Sequence, residues 1–260
     1  MKKRKIGVMV ESFRLGVKGG IAQAAALGCD GFQVYCTSGE MAPENMGAAA
    51  RADFKAFVAG RGLVISALCA DYGQGFLNPK TCDEAVAKSK RCVDLAVDLG
   101  TNVITTHIGT IPENQSDPAW RIGIDALSDL SAYAASKGVF FACETGPEAP
   151  AVMKKFLDKI KTKAIRVNYD PANLAMRGYD QLGGVKILRD YIVHTHAKDG
   201  VRIDGQGQEV PLGEGSVNFP KYLALLDEIG FDGFLTIERE VGENPAADVE
   251  KAVAFLRAQK

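Results

Sequence analysis

VFFACETGPEAPAVMKKFLDKIKTKAIRVNYD, residues 139–170, is the stretch on which the fold turns. It opens and closes with short runs rich in β-branched and aromatic residues, VFFACE (139–144) and IRVNYD (165–170), with a longer amphipathic run between them. Runs of this kind read as strands. The same alternation extends in both directions. KIGVMVE (5–11), GFQVYC (31–36), LVISALC (63–69) and NVITTHI (102–108) come before it, and YIVHTHA (191–197) and GFLTIER (233–239) come after. Helix start and stop signals fill the intervals. Thr81 with Glu84 forms a capping-box pattern, Asp117-Pro118 opens a second helix, and Asn218 with Pro220 opens another. Eight strand–helix units in 260 residues, roughly 32 residues each, predict parallel strands joined by helices. Eight such units close as a (β/α)8 TIM barrel, read here as an α/β fold in a single domain, residues 1–260. The competing α/β architecture, an open doubly wound sheet, calls for a Gly-rich phosphate turn after the first strand. That turn here is ESFRLGVKGG (11–20), which is not G-x-G-x-x-G.

Bulk properties narrow the function classes. A net charge of −1 offers no basic footprint for nucleic acid. No apolar run approaches the roughly 20 residues that span a bilayer. The N-terminal apolar run, Ile6 to Val10, is too short for a signal-peptide core. Cysteines stand at 29, 36, 69, 82, 92 and 143 without a C-x-x-C pair, which reads as reduced thiols in a cytoplasmic protein.

A barrel enzyme keeps its chemistry at the C-terminal ends of its strands. The expected strands end in Glu11, His107, Glu144, Asp170, His194 with His196, and Glu238 with Glu240, so every histidine of the chain lies at such an end. Polarity resumes at any strand end, and one such residue signifies little. An imidazole and several carboxylates on strands 5 to 8 are different, because barrel closure converges them on one mouth. Burying that many like charges is costly without a neutralising cation. Carboxylate oxygens with one imidazole suit a divalent ion: Mn²⁺, Mg²⁺, Fe²⁺ or Co²⁺, with Zn²⁺ also accommodated. In YIVHTHA, His194 and His196 share a strand face, His194 one pleat deeper.

The stretches ACETG, VNYDPANL, HTHAKD, PLGEGSVNFP and LTIERE, in this order, resemble the xylose isomerase-like barrels. More narrowly they resemble the sugar phosphate isomerase/epimerase group, with its ketose 3-epimerases, hydroxypyruvate isomerase and inosose dehydratase. The resemblance covers nearly the whole chain. It implies one divalent metal ion, Mn²⁺ first, held by Glu144, Asp170, His196 and Glu238. It implies that Glu144 and Glu238 are the catalytic acid/base pair, which moves a proton next to a carbonyl through a metal-stabilised enediolate. Substrate contacts carried over or placed beside the site are His107, Asn173, His194, Lys198 and Arg202. His107 reads as a hydrogen-bond partner of a substrate hydroxyl or as a structural histidine. Lys198 reads as an anchor for a carboxylate or phosphate, or as half of a surface pair with Asp199. The chain departs from the ketose 3-epimerases in two places. Asn173 stands where they have a substrate-binding His, and HAKD stands in place of H-x-G-E. Glu148 matches a second substrate-binding Glu only with altered spacing, and Glu240 has no assigned role. Trp120 and Phe76 read as packing residues near the mouth.

Two functions share these residues. One is a metal-dependent sugar isomerase or epimerase. The other is a metal-dependent lyase or dehydratase acting on a keto sugar, a keto-inositol or a 3-keto-glycoside. Either takes a small sugar-derived substrate, without nucleic acid or membrane, and homo-oligomerisation stays open. A repair endonuclease of the endonuclease IV type shares the barrel but needs more than three histidines and a basic face. A non-catalytic sugar-binding barrel fits poorly with an intact carboxylate set.

Overall fold

The computed structural model describes residues 3–259. Eight parallel strands form the sheet: β1 (Lys5–Val8), β2 (Gly31–Tyr35), β3 (Val64–Cys69), β4 (Val103–Thr106), β5 (Phe140–Glu144), β6 (Ile165–Tyr169), β7 (Ile192–Ala197) and β10 (Phe234–Ile237). Each pairs with its neighbour around the ring in the order β1-β10-β7-β6-β5-β4-β3-β2. A single parallel bridge, Met9 to Gln33, spans the remaining gap between β1 and β2, so the barrel is nearly closed.

Outside lie nine helices among the described residues: α1 (Gly16–Ala26), α2 (Ala48–Ala59), α3 (Cys82–Leu99), α4 (Pro118–Ser136), α5 (Pro150–Leu157), α6 (Pro171–Arg177), α7 (Gln181–Leu188), α8 (Phe219–Glu228) and α9 (Pro245–Ala258). The main core fills the layer between strands and helices. Phe32, Leu68 and Phe141 from the strands meet residues such as Leu95, Leu127 and Phe156 from the helices. Strands covered on both faces explain the near-continuous apolar runs in the sequence. Trp120 and Phe76 both belong to this core, and Trp120 donates its indole N–H to the Pro112 carbonyl at 2.7 Å. All six cysteines are buried and free, and among the described residues no helix is long and apolar enough to cross a membrane.

The interior is recognisable from contacts that cross it. Gln33 on β2 donates to Thr105 Oγ1 on β4 and meets His196 on β7, and strands so far apart in the ring touch only through its centre. By alternation, the residues two positions below the polar layer also face inward. Ala67, Val103 and Ala142 form a small apolar plug there, separate from the main core. The interior therefore has an apolar layer beneath a polar one.

Three expectations change. The first strand stops at Val8, and Val10–Phe13 form a 3₁₀ turn, so Glu11 leaves the strand end and accepts the Tyr35 amide at 3.0 Å instead. The capping box at Thr81 does not form. Its hydroxyl reaches the Gly75 carbonyl at 3.4 Å, and Glu84 pairs with Lys88. Asp117 and Asn218 do cap α4 and α8, accepting from the Ala119 and Lys221 amides. The largest addition is an antiparallel hairpin, β8 (Asp199–Ile203) with β9 (Gln206–Val210), which pairs with no barrel strand. Its two-residue turn, Asp204-Gly205, has φ of 50° and 80°, the doubly positive backbone that Asp-Gly supplies in tight hairpins.

Candidate active site and metal centre

The site is built outward from His196. Its Nε2 faces Gln33 Oε1 at 3.2 Å, and Gln33 is oriented by its own donation to Thr105 Oγ1 at 2.9 Å. With the proton on Nε2, the Nδ1 lone pair points the other way, into a ring of carboxylates. Nδ1 lies 3.4 Å from Glu144 Oε1, 3.3 Å from Glu238 Oε2 and 3.8 Å from Asp170 Oδ2.

Each carboxylate is positioned by the end of its strand. Asp170 follows β6 and caps α6: Oδ1 accepts the Ala172 and Asn173 amides at 2.8 and 3.0 Å, with Pro171 pre-set in the first turn. Thr145 clasps the same corner, accepting the Asp170 amide and donating to the Asp170 carbonyl. Glu144 ends β5 and accepts Asn173 Nδ2 at 2.9 Å and Asn168 Nδ2 at 3.1 Å. Glu238 follows β10 and accepts Lys198 Nζ at 2.9 Å.

One donor atom from each of Glu144, Asp170, His196 and Glu238 lies within 4.8 Å of the other three, and all four residues are buried. Two of the inward atoms, Asp170 Oδ2 and His196 Nδ1, are buried without any hydrogen-bond partner. Orphaned buried polar atoms are rare and costly. Three carboxylate oxygens and one imidazole nitrogen are a donor set for a hard or borderline divalent cation, so the residues fit the group that the sequence implies.

The protonation states follow from these contacts. Burial alone would raise Glu144 and Glu238, but His196 offsets it at both, with His107 helping at Glu144 and Lys198 at Glu238, and both carboxyls sit below their usual range. Burial opposes a charge on His196, yet Glu238 and Glu144 raise it well above an ordinary histidine. His194 goes the other way, kept neutral by burial and by His196 beside it. Its Nδ1 meets Asn168 Oδ1 at 2.9 Å and its Nε2 meets Thr236 Oγ1 at 3.0 Å, so both ring nitrogens are engaged below the mouth.

A cavity of about 530 Å³ opens beside this cluster, lined among others by His107, Asn173, Met176, Arg177 and Arg202. His107 presents Nε2 to Glu144 Oε1 at 3.7 Å while Nδ1 holds Asp71 at 2.8 Å. Glu144 foremost, then Asp71, push its pKa up to about 9 against burial. Asn173 lies on the cavity wall and on Glu144 at once. Arg202 reaches the cavity from β8, outside the cluster. Lys198 and Asp199 do not form a surface pair. Lys198 is buried among Glu238, Glu240, Glu209 and Asp170, and Asp199 accepts the amides of Gly200, Gly213, Gly215 and Val217. Glu240 is exposed but paired with Lys198.

Gln33, Asn168, Asp71 and Glu209 were not foreseen. Gln33 carried a signal, since it is a polar residue inside the otherwise apolar β2, whereas Asn168 shares β6 with Arg166. Groups that orient a metal-binding imidazole typically change metal affinity 10–100-fold when removed. Gln33→Leu is therefore expected to weaken divalent-ion binding by about that factor, read by calorimetry. Glu148 makes a separate prediction. Its Oε2 accepts the Ile111 amide, its Oε1 is buried without a partner, and burial lifts its pKa to about 7. A carboxyl raised in the folded state favours folding while protonated, so this contribution falls as pH rises from about 4.5 to about 7. Glu148→Gln should flatten the unfolding free energy across that window, removing a decline of up to about 3 kcal/mol.

The sequence profile of the xylose isomerase-like TIM barrels matches residues 21–259. The chain belongs to this family. Among its relatives, an uncharacterized protein of Methanocaldococcus jannaschii is 27% identical over 181 residues, 63% of this chain. The chain spans only 61% of that protein's length. The inosose dehydratase of Geobacillus thermodenitrificans is 24% identical over 234 residues, covering 76% of this chain and 77% of the enzyme. The crystal structure of a xylose isomerase domain protein from Planctomyces limnophilus superposes with a TM-score of 0.84 at 25% identity, covering 97% of this chain and 95% of the other. A D-tagatose 3-epimerase-like protein shares the fold, with a TM-score of 0.78 at 20% identity over 97% and 98% of the two chains.

Proposed function

We propose that this protein is a divalent-metal-dependent sugar isomerase or epimerase, with Glu144, Asp170, His196 and Glu238 as ligands and Glu144 and Glu238 as the acid/base pair. The observation that carries the reading is the pair of buried glutamates flanking His196 Nδ1, beside orphaned donor atoms and an open cavity. When bound, the cation supplies Lewis-acid stabilisation of the negative charge that develops on substrate oxygens, with Mn²⁺ as first choice. The chain's own residues do the rest. Glu144 and Glu238 are ionised, and each can take a proton from a carbon next to a carbonyl or return one. Asn168 and Asn173 fix Glu144, and Lys198 fixes Glu238, so neither carboxylate needs to reorganise. Asn173, His107 and Arg202 face the cavity and orient substrate hydroxyls, while His194 holds Asn168 in place from below.

The second reading, a dehydratase on a keto sugar or keto-inositol, is favoured by His107. A cavity-lining imidazole between Asp71 and Glu144 can protonate a departing hydroxyl, a step an epimerase does not need. Incubating the Mn²⁺-loaded protein in ²H₂O with ketoses, keto-inositols and 3-keto-glycosides separates the two. Deuterium at carbon with retention of all hydroxyls identifies the isomerase or epimerase, and loss of water identifies the dehydratase. Absence of both reactions across the panel overturns the reading.

A further inference from the structure

We propose that Asp71 is a positioning residue for His107: it fixes the proton of the neutral ring on Nδ1, so that Nε2 is always the nitrogen offered to the substrate. The inference rests on the cavity beside the carboxylate cluster being the substrate site.

Asp71 stands two residues past β3 and His107 directly follows β4, two strands that pair side by side. Asp71 divides its oxygens. Oδ1 accepts the Gly73 amide at 2.8 Å, and Oδ2 meets His107 Nδ1 at 2.8 Å. The first bond closes a local turn and thereby aims the second. The loop that carries Asp71 is also fastened to the one that carries His107. The Ala70 amide donates to the Thr105 carbonyl at 2.9 Å, and the Phe76 amide donates to the Ile108 carbonyl at 2.9 Å. A Cβ on Gly75 would stand 3.0 Å from the Ile108 carbonyl oxygen, so the two backbones lie almost in contact. The Asp71 side chain is 19% exposed against 46% for His107, which puts the carboxylate on the sheltered side of the ring.

Burial opposes the charge on Asp71, but the His107 contact and the Gly73 amide hold its carboxyl below the usual range. An ionised carboxylate only accepts. Nδ1 therefore carries a proton whether the ring is neutral or charged, and only Nε2 gains or loses one. Nε2 lies on the Glu144 side, 3.7 Å from Oε1, which is beyond hydrogen-bond reach. Glu144 is itself engaged by Asn173 and Asn168, so Asp71 is the contact that sets the ring. Where a sheltered carboxylate holds an acid/base imidazole in this way, replacing it by the amide imposes the wrong tautomer and costs about 10⁴-fold in kcat.

The test is NMR of protein labelled with ¹⁵N-histidine, in which three rings give signals. It is run at about pH 10, because Glu144 and then Asp71 hold the second proton on His107 up to about 9. The variant His107→Gln identifies the ring. Wild type is expected to show Nδ1 protonated and Nε2 bare. In Asp71→Asn the amide oxygen stays on the Gly73 amide and the NH₂ group faces Nδ1, so the proton should move to Nε2. Asp71→Ala leaves Nδ1 without a partner and should average the two tautomers, which keeps the test open if the Asn variant fails to fold. A wild-type ring protonated on Nε2, or wild-type signals in either variant, overturns the proposal. On the substrate selected by the isotope panel, Asp71→Asn should lower kcat by up to about 10⁴-fold with KM little changed, and an unchanged kcat overturns it as well. The tautomer is read without turnover, so this outcome is independent of the isotope-exchange test of the reaction.

Discussion

Glu238→Gln is expected to lower deuterium incorporation from at least one of two epimeric substrates by about 10²–10⁴-fold, the range for removing a positioned acid or base. The substitution keeps the shape and one oxygen donor but removes the charge and the basic lone pair. Lys198 keeps Glu240, Glu209 and Asp170 as partners, so the variant retains a neutralised ammonium rather than an abandoned one. Glu144→Gln should cause a loss of similar size from the opposite epimer, because Glu144 stands on the other side of His196 Nδ1. Each variant is checked for cooperative unfolding and for divalent-ion affinity, which separates lost chemistry from a lost ligand. Full exchange from both epimers in both variants would rule out a two-base site.

Chelation should bring turnover to background, and divalent-ion affinity should rise with pH, by about tenfold per unit for as long as His196 is protonated. The sign follows from His196. Without a cation, Glu238 and Glu144 hold a proton on its ring well above the ordinary histidine range. A metal must displace that proton to reach Nδ1. Below the raised pKa each binding event releases one proton, and above it the dependence levels off. Calorimetry in two buffers of different ionisation enthalpy counts the proton directly. Affinity that stays flat from pH 6 to 8, with no proton released, would show that His196 is not a ligand.

The barrel was legible in the sequence from the periodicity of its β-branched runs and from counting units, which also predicts that the polar strand ends converge. The choice of Glu144, Asp170, His196 and Glu238 among those ends came from the family resemblance, and the structure brings these four together. What stayed hidden depends on distance in three dimensions. Lys198 looks like a solvated lysine in HAKDG, and only the strand register next to Glu238 turns it inward. The hairpin was missed because 199–210 is too polar to read as buried strand, although Asp204-Gly205 marked its turn. Thr81 shows the opposite failure. The local pattern was correct for a cap, but a carbonyl at Gly75 took the hydroxyl.

The independence of the β8–β9 sheet divides the molecule into a barrel-borne cluster and a separable attachment. The candidate metal-binding residues stand at barrel strand ends, whereas part of the cavity wall comes from a ribbon whose two strands pair only with each other. Grafting a ribbon of another length or composition between Asp199 and Glu209 should redirect the protein to new substrates without rebuilding that cluster. Those two residues must stay, because one ties the ribbon to the 213–217 loop and the other to Arg239. Library design on this scaffold therefore has a natural cassette, residues 200–208, with its cloning boundaries written into the fold.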